Sequence, residues 1–249
     1  MFSRFFIALL AVLIYHSTGL LRDVCADDAV ARKIEVAQNL FKAEAYAEAV
    51  TVIDDAIKSG DKADDAQRAL AFAIRGFCRA NLKLIADARK DFNDAVRIQH
   101  GVKDGKDNLI HWITKRSELA GLDGDYKSQI EDLKQVVELA PVAPEANNQL
   151  AWTLATCRKP EFHDGILAVH SATRAVAATE FKNPNCYDTL AAAFARAGRY
   201  DLATEWQEKA ISHPEVLKPD YAKELKGYAR RLKLYKEMKP YTEDEPSSE

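Results

Sequence analysis

His163 and His170, the cysteines Cys78, Cys157 and Cys186 beyond the first 26 residues, and a few acidic pairs are the side chains of this chain whose types and spacing could do chemistry. The two histidines lie seven residues apart. A metal site there would need Glu at the His-Glu-x-x-His helix spacing or a cysteine at zinc-finger spacing, and neither occurs. They read as a loop histidine and a surface helix histidine. Asp123, Asp125 and Glu131 around Gly124 imitate the start of a calcium loop, but Lys127 and Ser128 stand where coordination wants an oxygen ligand and a glycine. Asp54-Asp55 and Asp64-Asp65 suit helix capping and solubility better than general acid–base work. Cys78, Cys157 and Cys186 are too few and too dispersed for a disulfide framework. A Cys157–Cys186 bridge is conceivable, and burial as small apolar residues is the simpler reading. No GxSxG nucleophile elbow, phosphate-cradling GxxxxGK[ST] loop or GxGxxG turn is present. The expectation is a non-enzymatic chain with no catalytic residue, no metal site and no cofactor.

The elements that carry these residues are helical hairpins. From Cys186 to Ile211, Leu190, Ala191 and Phe194 share one helix face, Gly198 ends the helix, and Ala203 and Ala210 put small side chains on one stripe of the next. Small residues let backbones approach closely, while Tyr187, Phe194 and Tyr200 fill the space around them. One such hairpin buries too little surface to be stable, so the pattern must recur. Leu150, Ala151 and Leu154 repeat it upstream with Ala168 and Ala175, across a longer joint from Arg158 to Gly165 in which Pro160 forbids a continuous helix. Gly124, Tyr126, Leu133, Val136 and Pro141 form another copy, with a weakly matching first helix near 109–122. Phe72, Gly76, Ala88, Phe92 and Ala95 form a fourth, and Ala37, Leu40, Tyr46, Ala49, Ile53 and Ala56 a fifth. Ala49 and Ala88 are 39 residues apart, Ala168 and Ala203 35.

This pattern of a large residue, Leu with a small residue, an aromatic, a turn Gly, a Tyr and two later alanines resembles the tetratricopeptide repeat (TPR), whose period is about 34 residues. Residues 146–241, with LAWTLATC, DTLAAAFARAG, EWQEKA and RLKLYKEMKPY, are similar to a group of exported bacterial TPR proteins. The resemblance implies an all-α, right-handed superhelical solenoid over 27–238. Its repeats fall at about 30–62, 69–102, 109–142, 144–182 and 184–217. A capping helix over 219–238 carries Leu225, Tyr228, Leu232 and Tyr235 on one stripe, and an acidic tail over 239–249 is expected to be disordered.

In such arrays the first helix of each repeat lines the concave groove. Carried onto this sequence, the family's binding positions are Gln38, Phe41 and Lys42; Phe77 and Asn81; His111, Thr114 and Glu118; Asn148, Trp152 and Thr156; and Asp188 and Arg196. Three aromatics among amides suit an extended peptide or a partner helix. Ile34, Ile74 and Gln149 stand where the carboxylate clamp of chaperone-binding relatives wants Lys or Asn, which argues against that ligand. The function implied is a scaffold that binds a protein or peptide partner. A second reading is a structural module that forms homo-oligomers through its open first helix, near 31–42, by way of Ile34 and Phe41.

At the N-terminus, Arg4 precedes an apolar run from Phe5 to Tyr15, and Val24-Cys25-Ala26 supplies a cleavage site before Asp27. That is the layout of a secretory signal peptide over 1–26, and it implies an exported protein, periplasmic or extracellular after cleavage. The mature chain would carry a net charge of about −4. Without a basic block, nucleic acid is not an expected partner, and after cleavage neither is a membrane.

Overall fold

The computed structural model describes residues 29–58 and 63–243, and these divide at Asp123 into two compact units. The signal-type segment 1–26 and residues 244–249 of the expected tail lie outside the described residues. Among the described residues there are eleven α-helices, two 3-10 turns and no strand.

Unit 1 contains α1 (Ala29–Lys42), α2 (Tyr46–Lys58), α3 (Asp65–Asn81), α4 (Ile85–Gln99) and α5 (Lys106–Leu122). Helices α1 and α2 form one hairpin and α3 and α4 the next; α3 also packs on both α1 and α2, and α5 on α4. Side-by-side stacking gives each hairpin the apolar contact it cannot make alone. Ala37, Ala49, Ala88 and Ala95 are fully enclosed, so they stand where helices cross. At Gly76 a β-carbon would sit 3.0 Å from the Phe92 ring, so alanine there would require the ring to shift. The acidic pairs are structural. Asp64 caps α3, accepting from Gln67 N at 2.7 Å while the Gln67 side chain accepts from Asp64 N. Asp55 pairs with Lys33 and Asp54 with Arg75.

Unit 2 contains α6 (Tyr126–Leu139), α7 (Pro144–Thr156), α8 (Gly165–Ala178), α9 (Pro184–Arg196), α10 (Tyr200–Ser212) and α11 (Ala222–Lys236). Helices α7 and α8, and then α9 and α10, are hairpins; α9 lies against α7 and α8, and α11 closes the series on α10 and α9. Leu150, Ala151, Leu190, Ala191, Ala168, Ala175 and Ala203 share one core with Tyr235 of α11. Pro144 and Pro184 open α7 and α9 at the first helical turn, where a missing N–H leaves no bond unmade. The long joint between α7 and α8 holds a 3-10 turn at Pro160–Phe162, and His163 Nε2 donates to the Cys157 carbonyl at 2.6 Å. Gly165 is needed there, because its β-carbon would lie 2.7 Å from the Ala197 backbone nitrogen.

Cys78, Cys157 and Cys186 are buried and free, with no bridge between Cys157 and Cys186. Burial pushes the Cys78 thiol up to about 12 and that of Cys186 up to about 11. Neither is a thiolate at neutral pH, so both act as small apolar fillers. No helix among the described residues is long and apolar enough to cross a membrane.

Candidate functional site

The expected groove residues take different positions in the two units. In unit 1, Gln38, Phe41 and Phe77 are buried. Phe77 meets Phe41 edge-on at 6.4 Å between ring centroids and stacks on His111 at 5.3 Å. Aromatic packing of this kind consumes the surface that a ligand would need. Asn81 donates to the Phe77 carbonyl and Thr114 to that of Ile110, each one helical turn back. Glu118 pairs with Lys115, and Lys42 is exposed. Ile34 and Phe41, on which the self-association reading rests, are enclosed in the packing of α1 with α2 and α3 and present no open apolar face.

In unit 2 the first-helix face is built differently. Trp152 on α7 is only half-buried, and a cleft of about 470 Å³ opens beside it, lined by Asn148, Gln149, Asn185, Asp188, Tyr228 and Arg231 among others. Asp188, expected to face a ligand, is buried: its Oδ1 accepts from Arg231 Nε at 2.7 Å and from Gln207 Nε2 at 2.7 Å. Burial works against the Arg231 charge, but Asp188 outweighs it and holds the guanidinium above its ordinary value. The pair therefore fastens α11 to α9, helped by Tyr228, whose hydroxyl donates to Asn185 at 2.5 Å. The Arg231 guanidinium stands 5.3 Å above the Trp152 ring, and so supports one wall of the cleft.

The chain's own end lies on this face. Helix α11 stops in a left-handed turn at Met238, φ 54°, closed by Lys239 N donating to Leu234 O at 2.9 Å. Pro240 prevents the helix from resuming. Residues 239–243, which the sequence analysis assigns to a disordered tail, run instead as non-helical chain against α7, α9 and α11. Tyr241 meets Trp152 at 5.9 Å between ring centroids and has the Arg231 guanidinium 5.2 Å away. Arg196 donates to the Tyr241 carbonyl at 2.9 Å and to Thr242 Oγ1 at 3.2 Å. Glu243 accepts from Trp152 Nε1 at 2.6 Å, and its own N–H donates to Thr156 O at 2.8 Å. These contacts also satisfy the end of α7, whose last carbonyls have no partner within the helix. Leu154 O accepts from Asp164 N, Ala155 O from Arg196 Nε, and Thr156 O from Glu243 N.

Sequence spacing located Asn148, Trp152 and Arg196 on this face. Thr156 is on the same helix, but its side chain is turned inward and donates to Trp152 O. Spacing missed Tyr228, Arg231, Tyr241 and Glu243, which come from the cap and the tail. A lone tyrosine in an otherwise polar acidic end was the available signal. The arrangement holds a polypeptide by non-covalent contacts, and the nearest thiol, Cys157, is raised by burial and has no access to solvent. Among the described residues no group of three or more His, Cys, Asp or Glu is placed to hold a metal ion.

The packing of the hairpins is that of the TPR fold. YrrB, described as a TPR protein with an unusual peptide-binding site, superposes with a TM-score of 0.64 at 17% identity, covering 84% of this chain and 97% of its own. A MamA fragment from Desulfovibrio magneticus RS-1 superposes with a TM-score of 0.62 at 15% identity, covering 77% of this chain and 98% of its own. A tetratricopeptide repeat protein from Parabacteroides merdae reaches 0.64 at 13% identity, covering 84% and 77%. No protein-family model matches the sequence, and no curated protein does. This chain is therefore all-α and has the TPR fold.

Proposed function

We propose that the chain is a non-enzymatic scaffold of the cell envelope that binds an extended peptide or protein segment on the first-helix face of unit 2. The observation that carries this reading is the seating of residues 241–243. They are non-helical backbone held by Arg196 and Thr156, with side chains on Trp152. A face that holds non-helical chain through both backbone and side chains has the chemistry of a peptide site. The solved structure of YrrB, another protein of this fold, is described as having a peptide-binding site. The envelope assignment rests on the signal-type segment 1–26, and mass spectrometry of exported protein beginning at Asp27 would bear it out.

The test is an array of immobilised extended peptides probed with the full chain and with its Trp152→Ala and Arg196→Ala variants. Selective capture that falls at least tenfold in both variants supports the reading. Capture unaffected by either substitution overturns it.

A further inference from the structure

We propose that this face reads an aromatic residue followed two positions later by a carboxylate, and that Tyr241-Thr242-Glu243 is a resident copy of that motif which a partner peptide must displace. The inference rests on the peptide-scaffold reading and adds the ligand's chemistry to it.

Tyr241 and Glu243, two residues apart in non-helical chain, reach the same side chain. Both meet Trp152, Tyr241 at its ring and Glu243 at its indole N–H, at 5.9 Å between centroids and 2.6 Å between heavy atoms. The residue between them is read mainly through its surroundings: Arg196 holds the preceding carbonyl and Thr156 takes the following N–H. An aromatic ring is required at the first position because a flat apolar surface packs at once on the indole, 5.9 Å between centroids, and beside the Arg231 guanidinium, 5.2 Å away. An acceptor is required at the third, because an indole N–H only donates. Arg231 is neutralised by Asp188, whereas Arg196 gives its bonds to carbonyls and a hydroxyl, so its charge favours an acidic ligand.

The tether explains why the tail is resident and how it yields. A short linker gives an effective concentration in the millimolar range, so even a weak motif stays bound in cis. A longer peptide would continue past Trp152 into the open 470 Å³ cleft, where Asn148 Oδ1 is buried without a hydrogen-bond partner. The tail makes no such contact, and the added bonds would let a partner win.

The experiment uses the full chain carrying Tyr241→Ser and Glu243→Gln, with a fluorescent, amidated peptide of residues 238–245 (MKPYTEDE) as probe in anisotropy titrations. The probe is expected to bind this variant at least tenfold more tightly than wild type, and about 100-fold if its intrinsic Kd is near 10 μM. Replacing the tyrosine or the first glutamate of the probe should weaken binding at least tenfold, as should Arg196→Ala in the variant. Matching far-UV circular dichroism excludes misfolding. Equal binding to wild type and variant, or indifference to the probe's tyrosine and glutamate, overturns the inference. If the variant then captures array peptides lacking the motif, the scaffold reading stands and this inference falls; if it captures none, both fall.

Discussion

Phe77 in unit 1 and Trp152 in unit 2 hold the same register, each directly following the small residue of a helix crossing, Gly76 or Ala151. Their surroundings decide what each can do. Phe77 is covered by Phe41 from α1 and by His111 from α5, and it is buried. Trp152 is instead half-buried, and the ring that meets it is Tyr241 of the tail, so its face carries chain. Position within a repeat therefore fixes which way a side chain points, and what packs on it fixes whether it can hold chain. Each unit also buries a carboxylate against arginine, and the two pairings differ. Asp91 is gripped by Arg75 and Arg79 of the same hairpin, with Asp54 as a further partner of Arg75. Asp188 draws Arg231 from α11, which makes it the anchor of the cap and of the tail beyond it.

The largest effect expected from breaking this contrast is that of Asp188→Ala. It leaves Arg231, whose side chain is 12% exposed, without a counter-charge, at a loss of about 3–5 kcal/mol. The Asp91→Ala change should lose less, about 2–3 kcal/mol, because Arg75 keeps Asp54 at 2.6 Å and Arg79 is nearer to water. Urea unfolding followed by circular dichroism measures both, and hydrogen exchange in α11 should accelerate in the first variant only. Equal losses, or an undisturbed α11, would remove the anchoring role.

Acid should act on unit 1 through His111. Burial, then the nearby Lys115 charge, lowers its pKa from 6.5 to about 4, and its Nε2 has no hydrogen-bond partner. The unfolded chain thus takes up the proton first, and stability falls as pH drops from 6.5 toward 4, by on the order of 2–3 kcal/mol. Wild type and His111→Gln, compared in urea at pH 7 and pH 4.5, should differ in this loss. If their pH dependence is the same, His111 does not titrate as its surroundings imply.

Much of the fold could be read in the sequence because it is built from local, periodic signals. Ala49, Ala88, Ala168 and Ala203 were placed by spacing alone, and all four are fully enclosed. The stripe on the cap was equally plain, with Tyr228 and Tyr235 buried as its period requires. The site was less legible, for two physical reasons. Spacing cannot show that Phe41, Phe77 and His111 close on one another, since that depends on side-chain volume across three helices. Nor does a polar, proline-containing end advertise order. Its contacts lie far along the chain, 91 residues in the case of Trp152 and Glu243, and only the folded hairpins bring those groups together.

The smallest expected effect concerns the turns between paired helices. In unit 2 the turn from α9 to α10 uses Gly198 at φ 77°, closed by Arg199 N donating to Phe194 O at 2.9 Å. Unit 1 makes the same turn with side chains present: Glu44 at φ 60° with Ala45 N to Leu40 O, and Lys83 at φ 65° with Leu84 N to Arg79 O, both 2.9 Å. The hydrogen bonding is the same, so the two units differ here by the strain of a β-carbon in the left-handed region, worth about 1 kcal/mol. Lys83→Gly should therefore stabilise the protein by roughly 0.5–1 kcal/mol, somewhat less than the strain because glycine loses more backbone freedom on folding. Gly198→Ala should destabilise it by about 1 kcal/mol with no steric component, since the space around a β-carbon there is open. Thermal midpoints shifting in opposite directions would show that unit 1 folds against its own turn residues, while shifts of the same sign would mean that these turns are not governed by φ.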